Sequence, residues 1–214
     1  MPSILLHHSS VPAAVDAAPL GRWMALLPGD KEAGVSRLHD ASARAASLLG
    51  IALLCDCAAA AGLAPPPAGA LQFPQGGKPA WPSGPDFSIS HAAGHVACAI
   101  APAGVQVGLD LEPAGAAERA GLRRFATSVE RAAFLAAGLT LTDLWTAKEA
   151  VAKAAGAGIA GVAEVSVTAA TACFRGGAYV LARPDLAPGL HCAVAMSVAR
   201  PVVTRAVAPG QLLG

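Results

Sequence analysis

The stretch FSISHAAGHVACAIAPAGVQVGLDLE, Phe87–Glu112, decides the fold class. FSIS (Phe87–Ser90) alternates apolar and polar side chains, the period of a β-strand. HAAGH turns, VACAI (Val96–Ile100) returns, APAG turns again, and VQVGLDLE (Val105–Glu112) leads out. Strands and turns at this spacing predict an antiparallel meander, ended by Pro113. Before it, Ser3–His7 fits a strand, and DASARAASLLGIALLCDCAAAAG predicts a helix over Asp40–Ala61. Asp40 suits its N-cap and Gly62 its end. APPPAGA (Ala64–Ala70) is a stiff connector, and Gln75–Pro85 is too rich in turn residues for regular structure. After it, helices are predicted over Ala116–Arg124, Val129–Ala137 and Leu141–Ala155. Short strands follow in VAEVSV, ACFRGGAYVLA and HCAVAMSVA. Helices that do not alternate one-for-one with parallel strands indicate an α+β fold.

Composition narrows the functional classes. The 214 residues allow one large domain or two small ones. Hydrophobic residues make up 54%, much of it Ala, and aromatics only 4%, so the core must be built from many small aliphatic contacts. A net charge of +1 without a basic run gives no footprint for nucleic acid. The most apolar run, AASLLGIALLC, lies between Arg44 and Asp56, short of the roughly 18 residues a membrane span needs. MPSILLHHSS lacks the basic start and apolar core of a signal peptide, so the expectation is a cytoplasmic protein. Five cysteines without a CxxC argue against a disulfide framework or zinc site, and favour small buried hydrophobes.

In VQVGLDLE, Val105, Val107, Leu109 and Leu111 share one face, so Asp110 and Glu112 share the other, about 7 Å apart. Such a pair fits either a solvated strand edge or a hard divalent cation, since neighbouring carboxylates repel without one. LWTAKEAVAKAAG (Leu144–Gly156) places Trp145, Glu149 and Lys153 along one stripe of a helix. This is either a surface Glu–Lys pair or, given the large ring beside it, the rim of a cleft. Glu149 facing Asp110 and Glu112, with Lys148 and Lys153 nearby, would suit a Mg–phosphate site. Ser90 and His91 end a strand, and Lys78 lies in the glycine-rich GGKP. Each fits a phosphate contact or an ordinary turn. GxSxG and the P-loop spacing are absent. Arg37 and Arg44 flank the start of the long helix.

Taken in order, GKP, FSISH, VGLDLEP, RRFATSVE and LWTAKEAVAK resemble the 4′-phosphopantetheinyl transferases of the larger, surfactin-synthetase-activating type. The resemblance runs from Gly77 to Ile159, and more loosely from Arg37 through the long helix. It implies a monomer of two similar α+β halves about a pseudo-twofold axis, 1–104 and 105–214, with coenzyme A between them. It further implies Mg²⁺-dependent (or Mn²⁺-dependent) transfer of the phosphopantetheine arm of coenzyme A to a serine of an acyl or peptidyl carrier protein. Adenosine 3′,5′-bisphosphate would be released. Fatty-acid, polyketide, nonribosomal peptide and lysine-pathway carriers all remain open as partners. By position, Asp110, Glu112 and Glu149 would hold the metal. Lys78, Ser90, His91 and Arg37 would contact coenzyme A, with Asp110 beside them. Lys153 would offset phosphate charge, and Glu149 would take the serine proton. Glu130 matches a recurrent glutamate of open role. Few cations decorate the long helix, where Gly50 and Cys55 stand instead. Two other readings therefore stay in view: a non-catalytic coenzyme A or carrier-binding module, and a Mg-dependent pyrophosphate hydrolase.

Overall fold

The computed structural model describes residues 2–12, 17–75, 77–119 and 125–213, with only the backbone at 17–20 and 119. Gly76, Arg123 and Arg124, and with them the end of the helix expected over 116–124, lie outside the described residues.

Two sheets carry the fold. The first contains β1 (Ile4–Ser10), β2 (Phe87–Ala92), β3 (His95–Ile100) and β9 (Val202–Ala206), in the order β2-β3-β1-β9. The second contains β4 (Val107–Pro113), β5 (Ser166–Val167), β6 (Thr171–Phe174), β7 (Gly177–Ala182) and β8 (Leu190–Met196), in the order β4-β8-β7-β6-β5. Helices are α1 (Ala17–Met24), α2 (Gly29–Ser36), α3 (Ala41–Ala60), α4 (Ala116–Arg119), α5 (Ser128–Ala136), α6 (Leu141–Ala154) and α7 (Pro209–Leu213).

The mixed α+β expectation holds, but the three-strand meander does not. β2 and β3 form the expected hairpin, whereas β4 leaves the first sheet and pairs antiparallel with β8 of the second. The reason lies in side chains. Asp86, Ser88 and Ser90, on alternate residues, accept hydrogen bonds from the amides of Val107 (2.7 Å), Leu109 (3.0 Å) and Leu111 (3.2 Å). The constant offset means that β2 and β4 run parallel, stitched by side chains rather than by a backbone ladder. The donors that an edge strand leaves without a ladder partner are thereby satisfied without joining the sheets. A second correction concerns VAEVSV. A 3-10 helix, Ile159–Glu164, takes up its first half, and only Ser166–Val167 is strand.

Three cores follow from this layout. Leu48, Leu49, Leu53 and Leu54 of α3 cover one face of the first sheet at Phe87, Cys98 and Ile100. Val107, Leu109 and Leu111 fill the space between the sheets with Ile4, Leu6, Val194 and Met196. Trp145, Val151 and the alanines of α6 cover the outer face of the second sheet. The layers therefore run helix, sheet, sheet, helix. α3 spans 20 residues with a mean hydropathy of 1.6, so by length and composition it could cross a membrane, contrary to the sequence-based expectation. Two-thirds of that window is buried within the fold, as befits a core helix. Asp40 caps it as expected, accepting from the Ser42 amide at 2.8 Å, and Gly62 follows its end at φ +73°.

Candidate active site

The alternation along β4 splits its residues between two layers. Its aliphatic face closes the inter-sheet core, and Gly108, Asp110 and Glu112 face α6. Gly108 is what permits close approach: a Cβ there would lie 1.9 Å from the Ala150 carbonyl oxygen and 2.4 Å from the Ala154 nitrogen. α6 itself begins with a reciprocal cap, in which Thr140 and Asp143 satisfy each other's amides. The helix then lays Trp145, Glu149 and Lys153 over the strand's carboxylates.

The stripe inferred from spacing is real. Trp145 Nε1 donates to Glu112 Oε1 at 3.2 Å, and its ring packs against Phe125 at 5.3 Å. Lys153 Nζ lies 2.6 Å from Asp110 Oδ1 and 3.1 Å from Ser90 Oγ, whose hydroxyl also donates to Asp110 Oδ1 at 3.1 Å. Asp110 is 2% exposed, and its other oxygen, Oδ2, has no hydrogen-bond partner among the described residues. One oxygen each of Asp110, Glu112 and Glu149 falls within 4.8 Å of the others. Burial pushes the Glu149 carboxyl up to about 8, helped by the charges of Asp110 and Glu112 and opposed by Lys153. Three converging carboxylates, one with an orphaned buried oxygen, form an oxygen-donor set that suits a hard divalent cation.

A cleft of about 190 Å³ adjoins this cluster, lined by Lys78 and Pro79 on one side and Glu149, Lys153 and Val162 on the other. Lys78 is not a free cation. Its ammonium lies 2.5 Å from Asp86 Oδ2 and donates to the Val107 carbonyl at 2.7 Å, and burial pulls its pKa down. Ser90 points inward to Asp110, while His91 is exposed. Partial burial, then the charges of Lys153 and Lys31, pull the His91 imidazole down. Arg37 sits exposed at the C-cap of α2.

Lys148 requires correction. It is 2% exposed and faces away from the cleft, pairing with Glu130 Oε1 at 2.8 Å and donating to the Val165 carbonyl at 2.6 Å. Adjacent helix residues point about 100° apart, so Glu149 and Lys148 cannot serve one site. Glu130 accepts from the Val167 amide at 3.2 Å and closes the Thr127 capping box of α5. Burial would raise its carboxyl, but Lys148 and the Thr127 amide outweigh that and lower it. This pair ties α5, α6 and β5 together. The sequence reading missed Asp86 and the packing role of Gly108. Asp86 directly follows the turn-rich segment. Gly108 carried a legible signal, a glycine inside a strand pattern, which often marks close backbone approach.

A search of curated proteins returned no match. Residues 106–184, from the start of β4 to the loop after β7, match the family model described as ACPS, 4′-phosphopantetheinyl transferase superfamily, so a domain of that superfamily is present in this part of the chain.

Proposed function

We propose that the protein is a transferase of the surfactin-synthetase-activating type. It would move the 4′-phosphopantetheine arm of coenzyme A to the serine of an acyl or peptidyl carrier protein. The observation that carries this reading is the convergence of Asp110, Glu112, Glu149 and Lys153 beside a cleft, within the segment that matches the superfamily. Polyketide and nonribosomal peptide carriers are the acceptor classes to test first. The reading includes a cytoplasmic monomer of two units, 1–104 and 105–214, in a pseudo-twofold arrangement, with the parallel β2–β4 seam between them.

Asp110, Glu112 and Glu149 would hold Mg²⁺, which supplies charge neutralisation at the pyrophosphate. Trp145 keeps the Glu112 carboxylate aimed inward. Lys153, held against Asp110, stands at the cleft wall where phosphate charge must be offset. Lys78 lines the opposite wall, and Lys78 and Ser90 hold the strand seam beneath the cleft. His91 and Arg37 would offer further nitrogen donors to coenzyme A phosphates. Transfer joins the carrier serine oxygen to the phosphorus nearest pantetheine and releases adenosine 3′,5′-bisphosphate. Glu149 is the base nearest to hand for the serine proton, and ionised it can take one directly or through water.

The test is intact-protein mass spectrometry of a panel of apo carriers mixed with the protein, coenzyme A and Mg²⁺, with an EDTA control. The expected result is a gain of about 340 Da on at least one carrier, lost in EDTA and lost when the acceptor serine is replaced by Ala. Coenzyme A binding without any mass gain across the panel would replace this reading with a binding module. Adenosine bisphosphate release without a carrier would replace it with a hydrolase.

A further inference from the structure

The seam between β2 and β4 is closed at each end by a lysine–aspartate pair, and the two pairs differ in what they leave free. An ammonium group has three N–H donors. Lys153 Nζ has two acceptors among the described residues, Asp110 Oδ1 at 2.6 Å and Ser90 Oγ at 3.1 Å, so one donor is left over. Lys78 Nζ has three: Asp86 Oδ1 at 2.6 Å, Asp86 Oδ2 at 2.5 Å and the Val107 carbonyl oxygen at 2.7 Å. Its side chain is only 10% exposed. Lys78 lines the cleft, yet no donor on it remains for a phosphate.

Asp86 completes the arrangement. Its Oδ2 also accepts from the Val107 amide at 2.7 Å. The ion pair therefore holds both backbone groups of Val107, and with them the peptide planes on either side of it. Two side chains stand in for the neighbouring strand that β4 lacks on this edge. The position of the carboxylates depends on this anchor. Gly108, the next residue, is already against the backbone of α6, so β4 cannot slide toward the helix to compensate for a loose start. Asp110 follows three residues after Val107 and Glu112 five, on an extended strand whose direction is set where it begins.

We propose that Asp86 is a positioning residue of the transfer reaction, and that Lys78 is its counter-ion rather than a ligand of coenzyme A. The inference rests on the transferase reading above and departs from the resemblance, which puts Lys78 on coenzyme A. The pair fixes where β4 enters the site, and so the spacing of Asp110 and Glu112 against Glu149 and Lys153. Phosphate charge at this cleft is then left to Lys153, which keeps a donor free, and to the metal that the carboxylates would hold. Removing either member of the pair acts on the carboxylates, through the backbone, and not on the coenzyme directly. Groups that orient metal ligands from behind are felt in metal affinity and turnover together.

The test uses the full chain with Asp86→Asn, Lys78→Met and both together, each studied well below its melting midpoint. Mn²⁺ binding is followed by electron paramagnetic resonance without coenzyme A or carrier. Coenzyme A binding is followed by calorimetry at saturating Mg²⁺ without carrier, and kcat by the carrier mass assay. Each single variant should weaken Mn²⁺ binding roughly tenfold and lower kcat by a similar factor. Coenzyme A affinity should stay within about twofold, because no contact to the coenzyme has been removed. The double variant should be no worse than the poorer single one, since the two residues act as a unit. The proposal is overturned if Lys78→Met alone weakens coenzyme A roughly tenfold or more, which would make Lys78 a ligand. It is equally overturned if the variants melt lower but keep native Mn²⁺ affinity and kcat, which would leave the pair a support of the fold only. Should the unaltered protein modify no carrier, the transferase reading fails, while the Mn²⁺ and coenzyme A titrations still decide the role of the pair. Absence of Mn²⁺ binding by the unaltered protein overturns both.

Discussion

Two lysines five residues apart on α6 do opposite work, and a single substitution at each separates them. Lys148 and Glu130 are both nearly inaccessible, and removing one partner strands the other's charge. Lys148→Ala should therefore lower stability by about 3–5 kcal/mol, read as a fall in the denaturation midpoint. Lys153 is itself 30% exposed, and Ser90 still donates to Asp110 when the lysine is gone, so Lys153→Ala should cost less stability, about 2 kcal/mol. Its effect should fall on transfer, with carrier modification dropping by two or more orders of magnitude in the mass assay. A Lys148→Ala protein that is stable but inactive would reverse this assignment. Glu149 adds a pH signature. Its folded pKa of about 8 lies above the ordinary carboxylate value, so folding favours its protonated form. That contribution is fully present below the unfolded pKa and is lost as pH rises through about 8. In EDTA, the melting temperature should fall between pH 6 and pH 9, and Glu149→Gln should flatten the slope. Mg²⁺ should flatten it as well, by favouring the ionised carboxyl. The Asp110–Glu112 pair and the Trp145–Glu149–Lys153 stripe were legible because strand and helix periods fix relative direction. That Lys148 leaves the cleft was legible from the same helical period. What the period could not reveal is Glu130, because no local pattern announces a partner 18 positions away.

At the scale of elements, the close contact of β4 with α6 decides whether the site assembles. Gly108→Ala would drive a methyl group into the backbone of α6, where nothing as soft as a side-chain end can yield. It should cost about 3 kcal/mol and displace Glu149 and Lys153 from Asp110, so transfer should fall even where the fold survives. Normal activity with a normal melting temperature in that variant would contradict the packing described. The long helix, the β2–β3 hairpin and α6 were readable from caps and periodicity. The parting of β4 from the hairpin was not, because strands stitched by serine and aspartate side chains have the same alternation as strands paired by backbone. α1 and α2 escaped for a local reason: Pro19, Gly21 and Gly34 break the helical pattern. β9 is a five-residue strand that pairs in parallel with a partner almost 200 positions away, and nothing nearby in the chain marks it.

For the molecule as a whole, the superfamily match ends at 184, but the structure it belongs to does not. β4 holds Asp110 and Glu112, and its backbone partner is β8, Leu190–Met196, beyond that boundary. On its other edge, its amides depend on Asp86, Ser88 and Ser90, before the boundary. Its aliphatic face is covered by Ile4 and Leu6 of β1, and β1 is in turn paired with β9. A fragment of residues 106–184 would leave β4 with two open edges and an uncovered face, and Lys153 and Asp110 without Ser90. It should show neither cooperative thermal unfolding nor dispersed amide resonances, whereas the full chain should show both. Removing only 201–214 strips β1 of its parallel partner and α3 of the α7 contact, while leaving every carboxylate of the site in the chain. That truncation should be strongly destabilised, and any folded remainder should still bind Mg²⁺ at the carboxylate cluster. A folded, autonomous 106–184 fragment would mean that the helix–sheet–sheet–helix stack is two independent bodies, and that the seam between β2 and β4 is dispensable to the site.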